Sequence, residues 1–446
     1  MKKFFGTDGI RGKTGDYPVT PDFFVRLGYA AGLVLTKHVE SNIKPTVVIG
    51  KDTRISGYML ESALESGFSA AGVDVYLTGP IPTPAIAFLT QSLGADIGIM
   101  ITASHNPYED NGIKLFSGHG TKLSDELEHE IEAMIDTQIK CVDPDKLGKA
   151  RRLDNAREQY VEFCLKTLKK DINLNSYKIV LDCAHGATYQ VAPEIFKRLG
   201  AELIVINHEP DGLNINFKAG STHPEFLIEA VKTHKADFGI AFDGDGDRVV
   251  MVSDQGELVD GDQILYLIMD YYLKMDELKG GVVGTLMTNL ALEEKCIALG
   301  IPFERSNVGD RYVSEKLRER SWFLGGENSG HILLLNHHST GDGIISALQT
   351  IAALLDKNKK LSEALRELPM YPQVLINIPL SQKVDVGSSF IQEITATAEE
   401  IMEGLGRVLI RASGTQSLLR VMTEGPSKEL AKKSAMYLVD KIKSLN

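Results

Sequence analysis

Apolar runs recur along this chain in one arrangement: a short apolar strand, a loop, an amphipathic helix closed by glycine, and a second apolar strand. The first copy leads from Val47-Val48-Ile49 through a helix ending at Gly72 to Val73-Asp74-Val75-Tyr76-Leu77. The second leads from Ile179-Val180-Leu181 to Gly200 and Leu203-Ile204-Val205-Ile206, and the third from Val282-Val283-Gly284 to Gly300 and Ile301-Pro302-Phe303. Each glycine stops its helix before a returning parallel strand. Three βαβ units predict three α/β modules with parallel-rich sheets. Two further runs, Ala95 to Ile101 and Phe238 to Phe242, read as strands, the first of them buried. After Pro372 the pattern changes: strands around Val374-Leu375-Ile376 and Val408-Leu409-Ile410 surround a helix containing Ile394 to Met402, a smaller α+β module.

Polar or proline-marked stretches separate the modules at Cys141 to Arg157, Ser253 to Asp262 and Leu368 to Pro372. The expected domains are 1–150, 151–253, 254–368 and 369–446. A chain of 446 residues is too long for one core and agrees with several domains. Its net charge of -12 argues against non-specific nucleic-acid binding, so local basic groups should serve a small anionic ligand. Cys141, Cys164, Cys183 and Cys296 show neither C-x-x-C spacing nor clustering with histidine, and read as reduced thiols of a cytoplasmic protein. Met1-Lys2-Lys3-Phe4-Phe5 is not followed by an apolar signal region, and no run approaches transmembrane length.

The chemistry is concentrated where apolar strands end. Directly after Phe242, Asp243-Gly244-Asp245-Gly246-Asp247-Arg248 places three carboxylates at alternate positions separated only by glycine. Glycine removes bulk so that the carboxylates can converge on one hard cation, and oxygen-only ligands favour Mg²⁺ or Ca²⁺. An EF-hand loop would need glycine at Arg248 and glutamate at Asp254, and has neither. The alternative without a metal is a solvated acidic turn. Arg248 beside the aspartates points to an anion next to the cation.

The run ending at Ile101 delivers Thr102-Ala103-Ser104-His105-Asn106-Pro107 at its carboxyl end, where open α/β sheets place their sites. Ser104 is a candidate nucleophile or phosphoryl carrier. A serine-hydrolase reading lacks the G-x-S-x-G elbow, and His105 reads as a hydrogen-bonded loop histidine rather than a base. Asp110-Asn111-Gly112-Ile113-Lys114 forms a turn that can hold Lys114 near the serine, although alone it would be a surface lysine. Arg411-Ala412-Ser413-Gly414-Thr415 joins two strands of the last module and offers a guanidinium, two hydroxyls and freed backbone N–H groups to a phosphate.

Gly6-Thr7-Asp8-Gly9-Ile10-Arg11-Gly12, the Thr102 to Pro107 loop, the Asp243 to Arg248 loop, Gly326-Glu327-Asn328-Ser329-Gly330-His331 and Arg411 to Thr415 follow in this order. Together, over the span from Gly6 to Arg420, they resemble the α-D-phosphohexomutase family, and within it the members that act on glucosamine phosphate. The resemblance implies three similar α/β/α domains with mixed, parallel-rich sheets and a smaller C-terminal α+β domain around a central cleft. It implies reversible phosphoryl transfer between the 6 and 1 positions of glucosamine phosphate, supplying amino sugar for cell-wall precursors. A phosphorylated Ser104 and a glucosamine or glucose 1,6-bisphosphate are expected to take part.

Mg²⁺ is expected on Ser104, Asp243, Asp245 and Asp247. Lys114 is the first candidate for general acid/base and His331 the second, with Arg248 stabilising the transferring group. The resemblance assigns sugar contacts to Glu327 and Ser329, places Arg11 and the Gly309–Asp310 loop at the substrate, and makes Arg411, Ser413, Gly414, Thr415 and Arg420 a phosphate clamp. Asn328 stands at a variable place where a polar side chain leans toward the amino sugar. Gln416 and Ser417 depart from the glutamate and proline usual in the family. The expected partner is a small sugar phosphate, with no nucleic acid or membrane, in a homodimer. Mannose or glucose phosphates are the nearest alternative substrates. A Mg²⁺-dependent phosphatase or a non-catalytic Ca²⁺-binding protein would be different classes.

Overall fold

The computed structural model describes residues 3–6, 8–38, 44–169, 172–379, 385–412 and 418–443. The first sheet contains β1 (Ile10–Lys13), β2 (Thr46–Lys51), β3 (Asp74–Pro80), β4 (Ile97–Ile101), β5 (Asp110–Ser117) and β6 (Ala150–Arg152), in the order β1-β5-β4-β2-β3-β6. β2 runs parallel to both β3 and β4, because helical crossovers separate them in sequence. The short Thr102–Glu109 connection returns the chain antiparallel instead, so β5 pairs β4 and then β1 in that sense.

The second sheet contains β7 (Lys178–Asp182), β8 (Glu202–Ile206), β9 (Phe238–Phe242), β10 (Val249–Ser253) and β11 (Leu258–Val259), in the order β11-β10-β9-β7-β8. The third contains β12 (Val282–Thr285), β13 (Phe303–Ser306), β14 (Leu324–Gly326) and β15 (Ile332–Leu334), in the order β13-β12-β14-β15. The last is an antiparallel sheet of β16 (Gln373–Pro379), β17 (Arg407–Ala412) and β18 (Leu418–Glu424), packed under the helices Ser389–Ile401 and Lys428–Lys443.

Each expected βαβ unit is present. Gly72, Gly200 and Gly300 stand at φ +86°, +91° and +70° after their helices, the left-handed stop that glycine adopts without strain. The third returning strand starts at Phe303 rather than Ile301. The Ile301 N–H still closes the preceding helix onto Cys296 at 2.8 Å. Two strands lie within the polar stretches between modules. β6 pairs β3, so the first sheet extends to Arg152, and β11 pairs β10, so the second extends to Val259. β6 is an edge strand of sequence Ala-Arg-Arg with little apolar signal, and charge is what an exposed edge carries.

One buried cluster runs through the first three modules, beside clusters that each keeps to itself. Met100 and Phe116 from the first, Leu181 and Phe242 from the second, and Ile264 and Leu348 from the third belong to a single buried cluster. The fourth has its own cluster, built on Ile391, Leu419 and Leu438. Polar contacts dock it: Arg407 donates to the carbonyls of Leu286 at 2.9 Å and Thr288 at 2.6 Å, and buried Glu424 accepts from Leu290 N–H at 2.8 Å. This packing holds the carboxyl ends of β4, β9 and β14 toward one another. No helix among the described residues is long and apolar enough to cross a membrane.

Candidate active site

Ser104 leaves the end of β4 at φ +51° and is 1 % exposed. Its Oγ donates to Asp243 Oδ2 across the module boundary at 2.7 Å and lies 3.3 Å from His105 Nδ1. Burial, then the charges of Arg248 and Arg11, lower the His105 pKa to about 4, so its ring is neutral at physiological pH. A neutral imidazole also in reach of Arg248 Nη1 at 3.4 Å is the loop histidine expected from the sequence.

The loop between β9 and β10 is buried, which excludes a solvated turn: Asp243, Asp245 and Asp247 are 1 %, 0 % and 5 % exposed. Their carboxylate oxygens can all lie within 4.8 Å of one another. Burial, and then the charges of Asp247 and Asp245, raise the Asp243 pKa well above the carboxylate range. Asp245 Oδ1 and Asp247 Oδ1 are buried and make no hydrogen bond among the described residues. Crowded oxygen donors with lone pairs to spare suit a hard divalent cation, and this group fits Mg²⁺. Gly246 at φ +75° makes the reversal between the ligands, and a Cβ there would meet Thr188 Cγ2 at 2.7 Å.

Lys114 is not at the surface. From β5 its Nζ donates to Asp245 Oδ2 at 2.9 Å and Asp247 Oδ2 at 2.8 Å, and lies 3.4 Å from Asp8. Burial opposes its charge, but the carboxylates of Asp245, Asp247 and Asp8 prevail and raise its pKa well above the ordinary lysine value. Held this way it brings a positive charge into the aspartate group. His331 stands at the other oxygen of Asp247, with Nδ1 3.7 Å from Asp247 Oδ1 and Nε2 3.7 Å from Asp310 Oδ2. Burial works against its charge as well, yet Asp247, Asp310 and Glu327 lift its pKa to about 9. Arg248 closes the group: its N–H donates to Asp243 Oδ1 at 3.1 Å and its Nε, 3.9 Å from Asp247, is buried with no hydrogen-bond partner among the described residues.

The Glu327–His331 turn follows β14 in the third module. Glu327 Oε1 accepts from the Gly309 N–H at 2.9 Å, which ties the two expected sugar loops together, and Gly261 N–H donates to the Asn328 carbonyl at 3.0 Å. Ser329 Oγ is buried without a partner among the described residues. Lys122 bridges the modules, 2.7 Å from Asp310 and 2.6 Å from Asp8, while Arg11 pairs with Asp8. A cavity of about 450 Å³ between the first and third modules is lined by Lys122, Asp310, Arg311 and His331 among others.

Arg411 and Arg420 face each other directly across the β17–β18 ladder. Like charges at such a pair repel, so the position suits an anion lying between them. Burial and then Arg420 push the Arg411 pKa down. Among the described residues neither arginine bonds to the groups around Ser104. Ser413, Gly414 and Thr415, with Gln416 and Ser417, lie outside the described residues.

Several residues at the site escaped sequence reasoning. Thr83 donates to Asp245 Oδ2 at 2.6 Å. Arg54 and Asn216 bond the Ser104 carbonyl at 3.0 Å and 2.8 Å, and Asp8 gathers Arg11, Lys114 and Lys122. Asp52 and Arg54 do carry a signal, since they follow the apolar strand β2 at its carboxyl end, as Ser104 follows β4. Asp8 stands in the same Gly6–Gly12 motif as Arg11, three residues before it.

Family models described as phosphoglucomutase/phosphomannomutase alpha/beta/alpha domains I, II and III match residues 2–140, 158–256 and 260–371, and that for the C-terminal domain matches 351–441. The chain is 56% identical over 438 residues to the phosphoglucosamine mutase of Methylobacillus flagellatus, covering 97% of each chain. It is 52% identical to that of Aeromonas hydrophila over 444 residues, covering 99% of each. The crystal structure of a phosphoglucomutase/phosphomannomutase family protein from Burkholderia thailandensis superposes with a TM-score of 0.82 at 26% identity, covering 100% of this chain and 98% of that one. The fold is also that of the Aspergillus fumigatus N-acetylphosphoglucosamine mutase, solved in complex with GlcNAc-6P and magnesium, at a TM-score of 0.68 and 18% identity over 100% of this chain and 96% of that one. The chain belongs to the phosphoglucomutase/phosphomannomutase family, the α-D-phosphohexomutases.

Proposed function

We propose that this protein interconverts glucosamine 6-phosphate and glucosamine 1-phosphate through a phosphorylated Ser104 and a sugar 1,6-bisphosphate. The reading rests above all on one observation: a buried serine hydroxyl donates at 2.7 Å to a carboxylate of a three-aspartate group, in a chain that matches phosphoglucosamine mutases over 97% of its length. Asp243, Asp245, Asp247 and the Ser104 oxygen would hold Mg²⁺, which would supply neutralising charge for the phosphoryl group.

The residues around it have separate tasks. Lys114 and His331 both stand at Asp247, so either can take the proton from the sugar hydroxyl that attacks the phosphoserine and return it to the sugar oxygen that leaves the phosphoryl group in the second transfer. Arg248, whose Nη1 lies 3.4 Å from His105 Nδ1, would supply positive charge beside Ser104. Glu327 and Ser329 present an acceptor and a hydroxyl to the sugar, with Asn328, Gly309 and Asp310 alongside. Arg11 would orient the substrate, and Arg411 and Arg420, with Ser413, Gly414 and Thr415, would hold whichever phosphate is not reacting. The bisphosphate then turns over so that its other phosphate returns to Ser104. A fourth module docked by polar contacts, outside the shared core, suits the opening that this reorientation needs.

The test is turnover of glucosamine 6-phosphate, glucose 6-phosphate and mannose 6-phosphate with catalytic glucose 1,6-bisphosphate and Mg²⁺. The proposal expects 1-phosphate product, highest kcat/KM for glucosamine, and no free phosphate. Stoichiometric release of phosphate would make the protein a phosphatase and overturn it.

A further inference from the structure

We propose that Arg54 and Asn216 are positioning residues for the transferring serine: they hold Ser104 in its left-handed conformation and fasten its loop to the second module beside the aspartate loop. The inference rests on Ser104 being the phosphoryl carrier. A residue with a Cβ occupies φ +51° only where its surroundings determine it strongly, and such residues gather at working sites.

At Ser104 both backbone groups are tied. Its N–H donates to Thr102 Oγ1 at 2.8 Å, and Thr102 Oγ1 donates to Asp52 Oδ2 at 2.7 Å. The same Asp52 oxygen accepts from Arg54 Nε at 2.9 Å. Arg54 is wholly buried, and the rest of its guanidinium is spent on the loop. Nη2 donates to the carbonyls of Ser104 at 3.0 Å and Asn106 at 2.8 Å, and Nη1 to those of Pro107 and, at 3.1 Å, Asp110. One side chain thus reads the course of the chain through the whole serine turn.

Asn216 approaches from the second module. Its Nδ2 donates to the same carbonyls as Arg54 Nη2, at 2.8 Å to Ser104 and 3.0 Å to Asn106. Asn216 stands at φ +60°, and its own N–H is fastened to the Ala184 carbonyl at 2.9 Å. Between them lies Gly244, where a Cβ would come within 2.6 Å of both Asn216 Nδ2 and the Ser104 carbonyl oxygen. The amide therefore joins the serine turn to the second module, packed against Gly244 of the loop that carries Asp243. Among the described residues neither Arg54 nor Asn216 bonds to Glu327, Ser329, His331 or Arg411, so sugar binding should not depend on them.

The test uses Asn216→Gly, which keeps the left-handed backbone and removes only the amide, and Asn216→Asp, which turns a carboxylate oxygen toward two carbonyls. Arg54→Lys is the third variant, informative only where its melting temperature shows a folded protein. Steady-state turnover of glucosamine 6-phosphate is measured beside single-turnover transfer from glucose 1,6-bisphosphate to Ser104, followed by intact mass. Misplacing a reacting group by a fraction of an ångström predicts a fall in kcat and in transfer rate of about ten- to a hundredfold, larger for Asp than for Gly, with KM within about twofold. Both Asn216 variants transferring at the wild-type rate, or losing activity through KM alone, would overturn the inference while leaving the proposed function intact. A wild-type protein that never acquires phosphate on Ser104 would remove the proposed function, and this inference with it.

Discussion

Lys114 lies where a metal-bound enzyme has least need of another cation, and its removal should separate folding from catalysis. Its ammonium donates to Asp245 Oδ2 at 2.9 Å and Asp247 Oδ2 at 2.8 Å, with Asp8 at 3.4 Å, in a setting only 4 % exposed. Replacing it with methionine keeps the stem and deletes the charge, which leaves three carboxylates without their shared partner. Breaking a buried pair of this kind costs roughly 3 to 5 kcal/mol. In EDTA the Lys114→Met protein should therefore melt on the order of 10 °C below wild type, at about 2 to 4 °C per kcal/mol for a domain of this size. With Mg²⁺ the sign of the comparison changes. The ammonium and the divalent cation compete for the charge of the same two carboxylates, so the variant should bind Mg²⁺ at least about tenfold more tightly, a change of about 1.4 kcal/mol. It should also regain most of its stability as Mg²⁺ approaches saturation. Mutase turnover should still stay below wild type, because Lys114 is one of the two groups proposed to move the proton. Calorimetric titration with Mg²⁺ and thermal melting with and without EDTA give the answer. Equal metal-free melting and unchanged Mg²⁺ affinity would refute the claim that these carboxylates hold Lys114.

Other perturbations have equally definite outcomes. Asp245→Ala removes a cation ligand and the acceptor of Thr83, so kcat should fall by more than about a hundredfold with the fold retained by circular dichroism. Arg411→Ala should raise KM for glucosamine 6-phosphate about ten- to a hundredfold, the equivalent of the roughly 1.5 to 3 kcal/mol of a charged hydrogen bond, while unchanged saturation would make Arg411 structural. Asp342 is buried, caps the Gly343–Lys357 helix through the Ile345 N–H at 2.9 Å and accepts the Tyr160 hydroxyl at 2.7 Å; burial raises its pKa to about 6. A folded pKa above the unfolded one gives stability that is present below about pH 4 and lost as pH rises through 6, so Asp342→Asn should gain on wild type across that window by up to about 3 kcal/mol, read as the difference in melting temperature against pH.

What the sequence reveals about the site depends on whether the chemistry is local. The aspartates of the Asp243–Asp247 loop are neighbours in the chain at the end of an apolar strand, and Ser104 stands at the end of another, so both could be found by position and residue type. Lys114 and His331 were recognisable as members of motifs, but not their charge, because that is set by carboxylates brought from elsewhere: Asp245 lies 131 residues from Lys114. Thr83 reaches Asp245 across 162 residues and Asn216 reaches Ser104 across 112, and nothing around either in sequence marks it. The same division holds for the fold. Strands with apolar runs were legible, whereas β6 and β11 are edge strands, short and polar or half-exposed, whose existence depends on the neighbour they pair with. That one buried cluster would run through three modules while the fourth docks through Arg407 and Glu424 is likewise a tertiary fact, absent from any single helix or strand.

The central claim is that Ser104 carries the phosphoryl group between the two ends of the sugar. Peptide mapping by mass spectrometry, on protein incubated with glucose 1,6-bisphosphate and Mg²⁺ and again after addition of excess glucosamine 6-phosphate, measures this directly. The account predicts phosphate on Ser104 in the first sample, its transfer to sugar bisphosphate in the second, and a Ser104→Ala protein that still binds glucosamine 6-phosphate but does not convert it. Phosphate on another residue, or conversion by the alanine variant, would contradict it.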